Sequence, residues 1–164
     1  MCERRSEQMC LADVAACVEY VTRDNVDDSP EWLYAASVTS DTPTGNVTEN
    51  EAGWIDEAGQ YFLNDGGYLR KMFRVRVGPT RTEPIDSLEK LRETNGGTVL
   101  YSPSKRTLGL FVGIDDRHEF INVETLSANG NGGLTQLGLV YVCFESFRAQ
   151  GWHVLCCSPA YVLK

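Results

Sequence analysis

The side chains best suited to covalent chemistry in this sequence are a thiol, Cys143, and an imidazole, His118. A cysteine and a histidine within hydrogen-bond reach form the nucleophile and base of thiol hydrolases, in which the imidazole takes the thiol proton. Cys143 lies inside a run of mostly apolar residues at 137–144, and burial of a thiol in such a run would raise its pKa and suppress the thiolate. A Cys143–His118 hydrolase is therefore the alternative to a protein without a reactive centre.

Metal chemistry has two candidate sources. Asp115, Asp116 and Glu119 are carboxylates in one short segment, but neighbouring side chains of a strand point to opposite faces, so an exposed acidic turn is the simpler interpretation. The six cysteines and two histidines do not include the Cys-x-x-Cys spacing that is typical of structural zinc sites. We therefore predict no metal, no other cofactor and no catalytic residue.

The charged residues are distributed unevenly along the chain. Residues 1–69 contain 14 acidic and 3 basic residues, a net charge of −11, whereas residues 70–164 contain 9 acidic and 12 basic residues, a net charge of +3. A protein with a total charge of −8 is repelled by phosphate groups and anionic lipids, which disfavours binding to nucleic acids or membranes. An acidic surface suits a basic protein partner, or else it simply keeps the protein in solution.

Two acidic segments are the candidate contacts for such a partner. The first is the acidic stretch 39–56, in which residues 39–53 have almost no apolar side chains and should form a flexible surface loop. The second is the turn at 115–119. A loop of about 15 residues is long for a structureless connection, so it is either disordered or held by a partner. The predicted partner-binding residues are Asp41, Glu49, Glu51, Asp56, Asp115, Asp116 and Glu119.

Length and composition indicate one intracellular domain over residues 1–164. A chain of 164 residues with 42% hydrophobic and 23% charged residues is typical of a globular protein with a single core. No apolar run approaches the roughly 20 residues that span a bilayer, and the charged N-terminus differs from a signal peptide. In a reducing compartment we expect free thiols. No feature of the sequence selects an oligomeric state.

The N-terminal part of the sequence predicts helices. Apolar residues recur at helical spacing from Leu11 to Val21 after a capping residue, Ser6, which predicts a helix whose apolar stripe faces the core. A Ser-Pro pair ending at Pro30 predicts a second short helix over 31–38, with a strand as the other option. We therefore expect helical structure before the main run of strands.

Strand and turn signals dominate the rest of the sequence. Residues 61–69 fit a hairpin around Asn-Asp-Gly-Gly, residues 70–77 fit a strand with a basic outer face, and 86–97 fit a capped helix. Residues 137–144 fit a strand or a helix equally well, and the stop at Gly151 favours helix at least for the second half of the run, 145–150. Further strands are predicted at 98–101, 107–114, 119–124 and 152–157. The predicted fold is α+β, with a mixed or mainly antiparallel sheet, an N-terminal helix and two or three further helices.

Three stretches of the sequence together resemble a known superfamily. They are Leu-Glu-Lys-Leu-Arg-Glu-Thr-Asn-Gly-Gly at 88–97, the glycine-containing and acidic segment 111–124, and Cys-Phe-Glu-Ser-Phe-Arg-Ala-Gln-Gly at 143–151. Their order is similar to that in SMI1/KNR4 and US22-type domains. Members of that superfamily are largely non-catalytic, and include bacterial immunity proteins that neutralise toxins and viral proteins that counter host defence. The resemblance implies an inhibitor or antagonist that binds another protein in the cytoplasm or in a host cell.

A second resemblance concerns Leu-Gly-Leu-Phe-Val-Gly-Ile-Asp at 108–115, which is similar to the strands around the catalytic histidine of NlpC/P60-like and LRAT-like proteins. It implies a papain-like thiol hydrolase with Cys143 as nucleophile and His118 as base. Here, however, Thr107 and Leu108 occupy the place where that histidine would precede the strand. The preferred prediction is a non-enzymatic protein-binding domain that inhibits its partner through an acidic surface, and the thiol hydrolase remains the alternative.

Overall fold

The computed structural model describes residues 8–27, 29, 31–51, 53–78, 80–115, 117 and 119–157. Strands of three to nine residues and helices of four to six residues make up this part of the chain. Three helices lie in these ranges: α1 (Leu11–Val14), α2 (Leu88–Arg92) and α3 (Phe144–Ala149). The twelve strands in the same ranges are β1 (Val18–Tyr20), β2 (Trp32–Ser40), β3 (Thr48–Asn50), β4 (Gly53–Ile55), β5 (Tyr61–Asp65), β6 (Tyr68–Arg76), β7 (Thr80–Pro84), β8 (Val99–Ser102), β9 (Thr107–Asp115), β10 (Phe120–Ala128), β11 (Leu134–Val142) and β12 (His153–Cys157). The predicted α+β fold is confirmed, and its strands form two antiparallel sheets.

The first sheet contains β1 to β6 and is organised around the long strand β6. One side of β6 pairs with β2, and the other side pairs first with β5 and then with β1. Strands β4 and β3 extend the sheet beyond β5. The tight β5–β6 turn contains Gly66 and Gly67, both with positive φ, as the predicted hairpin requires.

The second sheet has the strand order β11-β10-β9-β8-β12-β7, with every neighbouring pair antiparallel. The late strand β12 lies between β8 and β7, so residues 153–157 occupy an interior position in the sheet. At the other end, β11 pairs with β10 alone within the described part of the chain. The sheet therefore presents β11 as a free edge.

Two hydrophobic clusters join the layers. Phe73 of the first sheet packs with Leu108 and Leu155 of the second, and all three side chains are fully buried. On the other face of the second sheet, Leu91 of α2 and Phe147 of α3 are equally buried. Burying a Leu or Phe side chain contributes about 1.5 to 3 kcal/mol, so these clusters supply much of the folding free energy. The layers are thus sheet, sheet and helices.

The N-terminal region differs from the sequence prediction. The helix predicted from Leu11 to Val21 is wrong beyond its first turn, because α1 ends at Val14 and β1 follows. The helix predicted over 31–38 is also wrong, since these residues belong to β2. Both segments pair with β6, which provides backbone hydrogen bonds and burial that a short isolated helix lacks. Ser6, the proposed cap of the first helix, and Pro30, proposed as the first residue of the second helix, lie outside the described residues.

Two further predictions about the first sheet are wrong. Residues 39–53 do not form one structureless loop, because β2 runs to Ser40 and a β3–β4 hairpin follows. The predicted basic outer face of β6 is also wrong for two of its three arginines, since Arg70 and Arg74 are 8% and 7% exposed, whereas the Arg76 side chain is exposed. These two arginines are instead held inside the molecule by hydrogen bonds.

The C-terminal half follows the sequence prediction more closely. Helix α2 begins after Ser87, whose Oγ accepts a hydrogen bond from the backbone N–H of Lys90. The ambiguous segment 137–144 is mainly strand, as part of β11, and α3 follows it and ends before Gly151, where φ is +74°. Among the described residues, no helix has the length and apolar character needed to cross a bilayer.

Candidate functional site

The free edge strand β11 is the most apolar exposed surface element of the described structure. Leu137, Leu139 and Tyr141 are 44%, 42% and 61% exposed, and Val140 is 36% exposed. The strand is nine residues long and contains neither a charged residue nor a proline. Natural proteins usually protect a sheet edge with such residues, because its unpaired N–H and C=O groups attract other strands. β11 is therefore a candidate docking edge.

The two faces of β11 have different surroundings. Val140 lies opposite Val123 of β10, and Val142 lies opposite Ile121, so both face the side of the sheet that carries α3. Leu139 and Tyr141 alternate with them and face the other way. Docking on β11 could thus use side chains on both faces.

A pocket of about 440 Å³ opens beside β11. Cavities of this size lie in the range that holds small-molecule ligands. Its apolar lining consists of Val38, Val123, Val140, Val142 and Trp152. Its polar lining includes Asp65, Tyr68, Arg70, Lys105, Thr107 and Gln150.

Arg70 of β6 fixes one wall of this pocket. Its Nε donates to the carbonyl oxygen of Ser37 at 2.6 Å, and its Nη2 donates to Thr107 Oγ1 at 2.9 Å and to the carbonyl oxygen of Ala36 at 3.3 Å. Its Nη1 donates to the Lys105 carbonyl oxygen at 3.1 Å and to Asp65 Oδ2 at 3.3 Å. All five N–H groups of the guanidinium are therefore in use. They join β2, the β5–β6 hairpin and the β8–β9 turn.

The opposite wall is held by the segment that follows α3. Ser102 Oγ donates to the carbonyl oxygen of Gln150 at 2.6 Å, and Trp152 Nε1 donates to Gln150 Oε1 at 2.8 Å. Gly109 allows the indole to pack closely, because a Cβ there would lie 3.1 Å from the Trp152 ring and 2.8 Å from Val123 Cγ1. The pocket is thus shaped by the protein's own contacts before any ligand binds.

Of the predicted partner-binding residues, Asp56 has a structural role. It is only 4% exposed, and its carboxylate accepts hydrogen bonds from the backbone N–H groups of Thr44, Ala58 and Gln60. Burial acts to raise the pKa of Asp56, but these backbone donors, with that of Gly59, outweigh it and lower the pKa. Asp56 therefore shapes the turn before β5 and adds nothing to an exposed acidic surface.

The remaining predicted acidic residues are divided between the two sheets. In the first sheet, Glu49 and Glu51 are exposed, whereas Asp41 is half-buried and accepts a hydrogen bond from Ser37 Oγ at 3.1 Å. In the β9–β10 turn of the second sheet, Asp115 Oδ1 accepts from the N–H of Arg117, and Glu119 pairs with Arg92 at 3.3 Å. Asp116 lies outside the described residues.

Cys143, the predicted alternative nucleophile, is exposed at the start of α3. Its Sγ lies 3.4 Å from Ser146 Oγ. The nearby Ser146 hydroxyl, and then the backbone N–H groups of Ser146 and Glu145, lower the pKa of the Cys143 thiol. The prediction that burial raises this pKa is wrong, because the thiol lies beyond the end of β11. The predicted base, His118, lies outside the described residues.

No group of three or more His, Cys, Asp or Glu side chains in the described ranges is placed to hold a metal ion. Comparisons with protein-family models, with characterised proteins and with solved structures give no significant match to this chain. The resemblance to SMI1/KNR4 and US22-type domains therefore stays a prediction from the sequence. The role of the chain has to be inferred from its own surface.

The sequence predicts neither the exposed edge strand β11 nor the pocket beside it. The uncharged run in β11 is visible in the sequence, but such a run is equally typical of a buried strand. The pocket has no sequence signature, because its lining residues are scattered from Val38 to Trp152. Only the tertiary structure brings them together.

Proposed function

We propose that this protein is a non-enzymatic protein-binding domain whose partner docks as an additional strand on β11. The single observation that supports this proposal most is the nine-residue, uncharged edge with exposed Leu137, Leu139 and Tyr141. In strand addition, main-chain hydrogen bonds supply affinity and alternating side chains supply specificity. An exposed apolar patch on an otherwise acidic protein is a typical mark of an interaction surface.

The acidic charge supports a basic partner. With a net charge of −8, the protein attracts a positively charged surface over a distance of about one Debye length, which raises the association rate. The exposed carboxylates of Glu49 and Glu51 would act in this steering, while β11 supplies the lasting contact. Together with the superfamily resemblance, this favours an intracellular inhibitor or antagonist that covers a working surface of its partner.

Affinity capture from native cell extract, followed by mass spectrometry, tests the proposal. We expect the wild-type protein to retain one partner, and the double variant Leu139→Lys/Tyr141→Lys to lose it, because two ammonium groups would replace the apolar side chains that pack against those of the incoming strand. Val112→Lys is the matched control, since Val112 is an exposed apolar residue on β9. Circular dichroism checks that both variants fold.

The capture results distinguish docking on β11 from docking on the acidic surface of the first sheet. Loss of the partner in Leu139→Lys/Tyr141→Lys but not in Val112→Lys supports docking on β11. Retention of the partner by the double variant refutes it. If that retained partner is released by Glu49→Lys/Glu51→Lys, the acidic surface of the first sheet is the main contact.

The exposure of Cys143 and the lowered pKa of its thiol favour one second candidate, a thiol hydrolase. The variant Cys143→Ala distinguishes the two functions. Partner capture at the wild-type level by this variant, with no change in cellular function, supports the binding domain. Loss of function with folding and capture intact supports the hydrolase.

A further inference from the structure

The pocket beside β11 has a chemistry that the proposed function does not use. We propose that it binds a small monocarboxylate with an apolar tail, of the class of medium-chain fatty acids. The proposal does not depend on docking at β11. It follows from the lining of the pocket, from its charge and from its preformed shape.

The apolar part of the lining indicates the body of the ligand. Val38, Val123, Val140 and Val142 supply branched aliphatic surface from three strands, and the indole of Trp152 supplies a flat one. None of these five side chains offers a free hydrogen-bonding group, since Trp152 Nε1 already donates to Gln150. A flexible alkyl chain would gain about 0.8 kcal/mol for each CH₂ buried there.

The charges in the lining indicate the head group. Arg70 and Asp65 form an ion pair at 3.3 Å, and every N–H of Arg70 is already in use. Lys105, by contrast, has no ion-pair partner among the described residues. The residues that line the pocket therefore carry one uncompensated positive charge, on the exposed Lys105, in a protein of net charge −8.

A single available cation selects a singly charged anion. A phosphate monoester carries between one and two negative charges at neutral pH and would lie close to the Asp65 carboxylate with only Lys105 to balance it. A carboxylate matches the ammonium of Lys105 in charge. Gln150 also lines the pocket, and the N–H groups of its side-chain amide are further donors. The pocket therefore fits a carboxylate head group better than a phosphate head group.

The shape of the pocket is fixed before binding. Arg70 ties one wall to three backbone carbonyl groups, and Gln150 is held by Ser102 and Trp152 on the other. A preformed site loses little conformational entropy on binding, so a ligand of modest size can bind measurably.

Isothermal titration calorimetry of the full chain with sodium octanoate tests this proposal. We expect saturable binding of octanoate, and affinity for octanoate at least tenfold higher than for octyl phosphate. Lys105→Ala should weaken octanoate binding about tenfold, which corresponds to one charge-assisted contact. The same variant should bind 1-octanol as the wild type does. Lys71→Ala, outside the pocket, should leave the affinity for octanoate unchanged.

A second variant tests whether the alkyl tail of octanoate binds in the apolar part of the pocket. Val140→Asp places a carboxylate in the apolar lining and should abolish octanoate binding, whereas Val112→Asp, at an exposed valine outside the pocket, should not. The absence of saturable octanoate binding by the wild type would overturn the proposal. Equal octanoate affinity of wild type and Lys105→Ala, or tighter binding of octyl phosphate, would overturn it as well. Partner capture by Lys105→Ala keeps this result separate from the test of β11.

Discussion

Replacement of Arg70 by lysine should destabilise the protein strongly although it preserves the charge. The guanidinium donates to three backbone carbonyl groups, those of Ala36, Ser37 and Lys105, and to one hydroxyl group, that of Thr107. Lysine has three donors on a single nitrogen atom and cannot match the planar fork of arginine. Three different guanidinium nitrogen atoms serve these four acceptors, and the single nitrogen atom of lysine can occupy only one of the three positions, which serves two acceptors at most. At least two acceptors should therefore lose this donor.

The size of the effect follows from the contacts. An acceptor left without a partner in the interior costs about 1 to 3 kcal/mol, so the loss of two acceptors amounts to about 2 to 6 kcal/mol. The ion pair with Asp65 adds little, because that carboxylate is 64% exposed. We expect a decrease of at least about 2 kcal/mol in the free energy of unfolding, which is a large part of the 5 to 15 kcal/mol typical of a domain.

Urea unfolding followed by circular dichroism measures this change. With a slope of about 1 to 3 kcal/mol per molar urea, the midpoint should fall by about 0.7 M or more in Arg70→Lys. Arg76→Lys is the matched control on the same strand, because that side chain is 59% exposed and makes an ion pair with Glu31 at 2.6 Å. If the two variants lose the same stability, within about 0.5 kcal/mol, the assigned role of Arg70 is refuted.

Asp56 and Cys143 give two further predictions, one about stability and one about thiol reactivity. Asp56→Asn should lower the free energy of unfolding by about 1 to 3 kcal/mol at pH 7, because a charged acceptor of several backbone N–H groups is lost. Since the folded pKa of Asp56 is lowered, its contribution is present above the unfolded value of about 4 and is lost as the pH falls through the folded pKa. Urea unfolding at pH 7 and pH 3 should show the difference between variant and wild type shrinking, and a constant difference would contradict this account. Cys143 should react with iodoacetamide at lower pH than N-acetylcysteine, and Ser146→Ala should shift its rate profile to higher pH, as measured by mass spectrometry. Buried Cys156 serves as the internal control, and identical profiles for Cys143 and N-acetylcysteine would contradict the lowered pKa.

Local signals predicted the elements that depend on local chemistry. The glycine pair at 66–67, the Ser87 cap and the positive φ of Gly151 each fix a turn or a helix end by their own conformational preferences. These features lie mainly in the β5–β6 hairpin and the C-terminal half, where the predicted strands and helices agree with the structure. The α+β class followed from them.

Long-range pairing explains the N-terminal errors. Val18 and Val21 have helical spacing, but β1 and the residues after it bind to β6, far along the chain. Arg74 alternates with apolar residues as an outward-facing side chain would, yet its guanidinium lies 3.7 Å from the ring centre of Trp32 and donates to Glu19. These partners could not be read from the sequence near Arg74, because each belongs to a different segment. The candidate site was missed for the same reason.

The interior position of β12 has a consequence for how the chain is made. Strand β7 pairs with β12, and the backbone N–H of Met9 donates to the carbonyl oxygen of Leu155 at 3.0 Å. A ribosome therefore releases β7, β8 and the N-terminal segment well before the strand that joins them exists. Contacts between residues far apart in the sequence slow folding, and strands without their pairing partner are prone to aggregate. The nascent chain is therefore prone to aggregation until residues 153–157 have been synthesised and can pair.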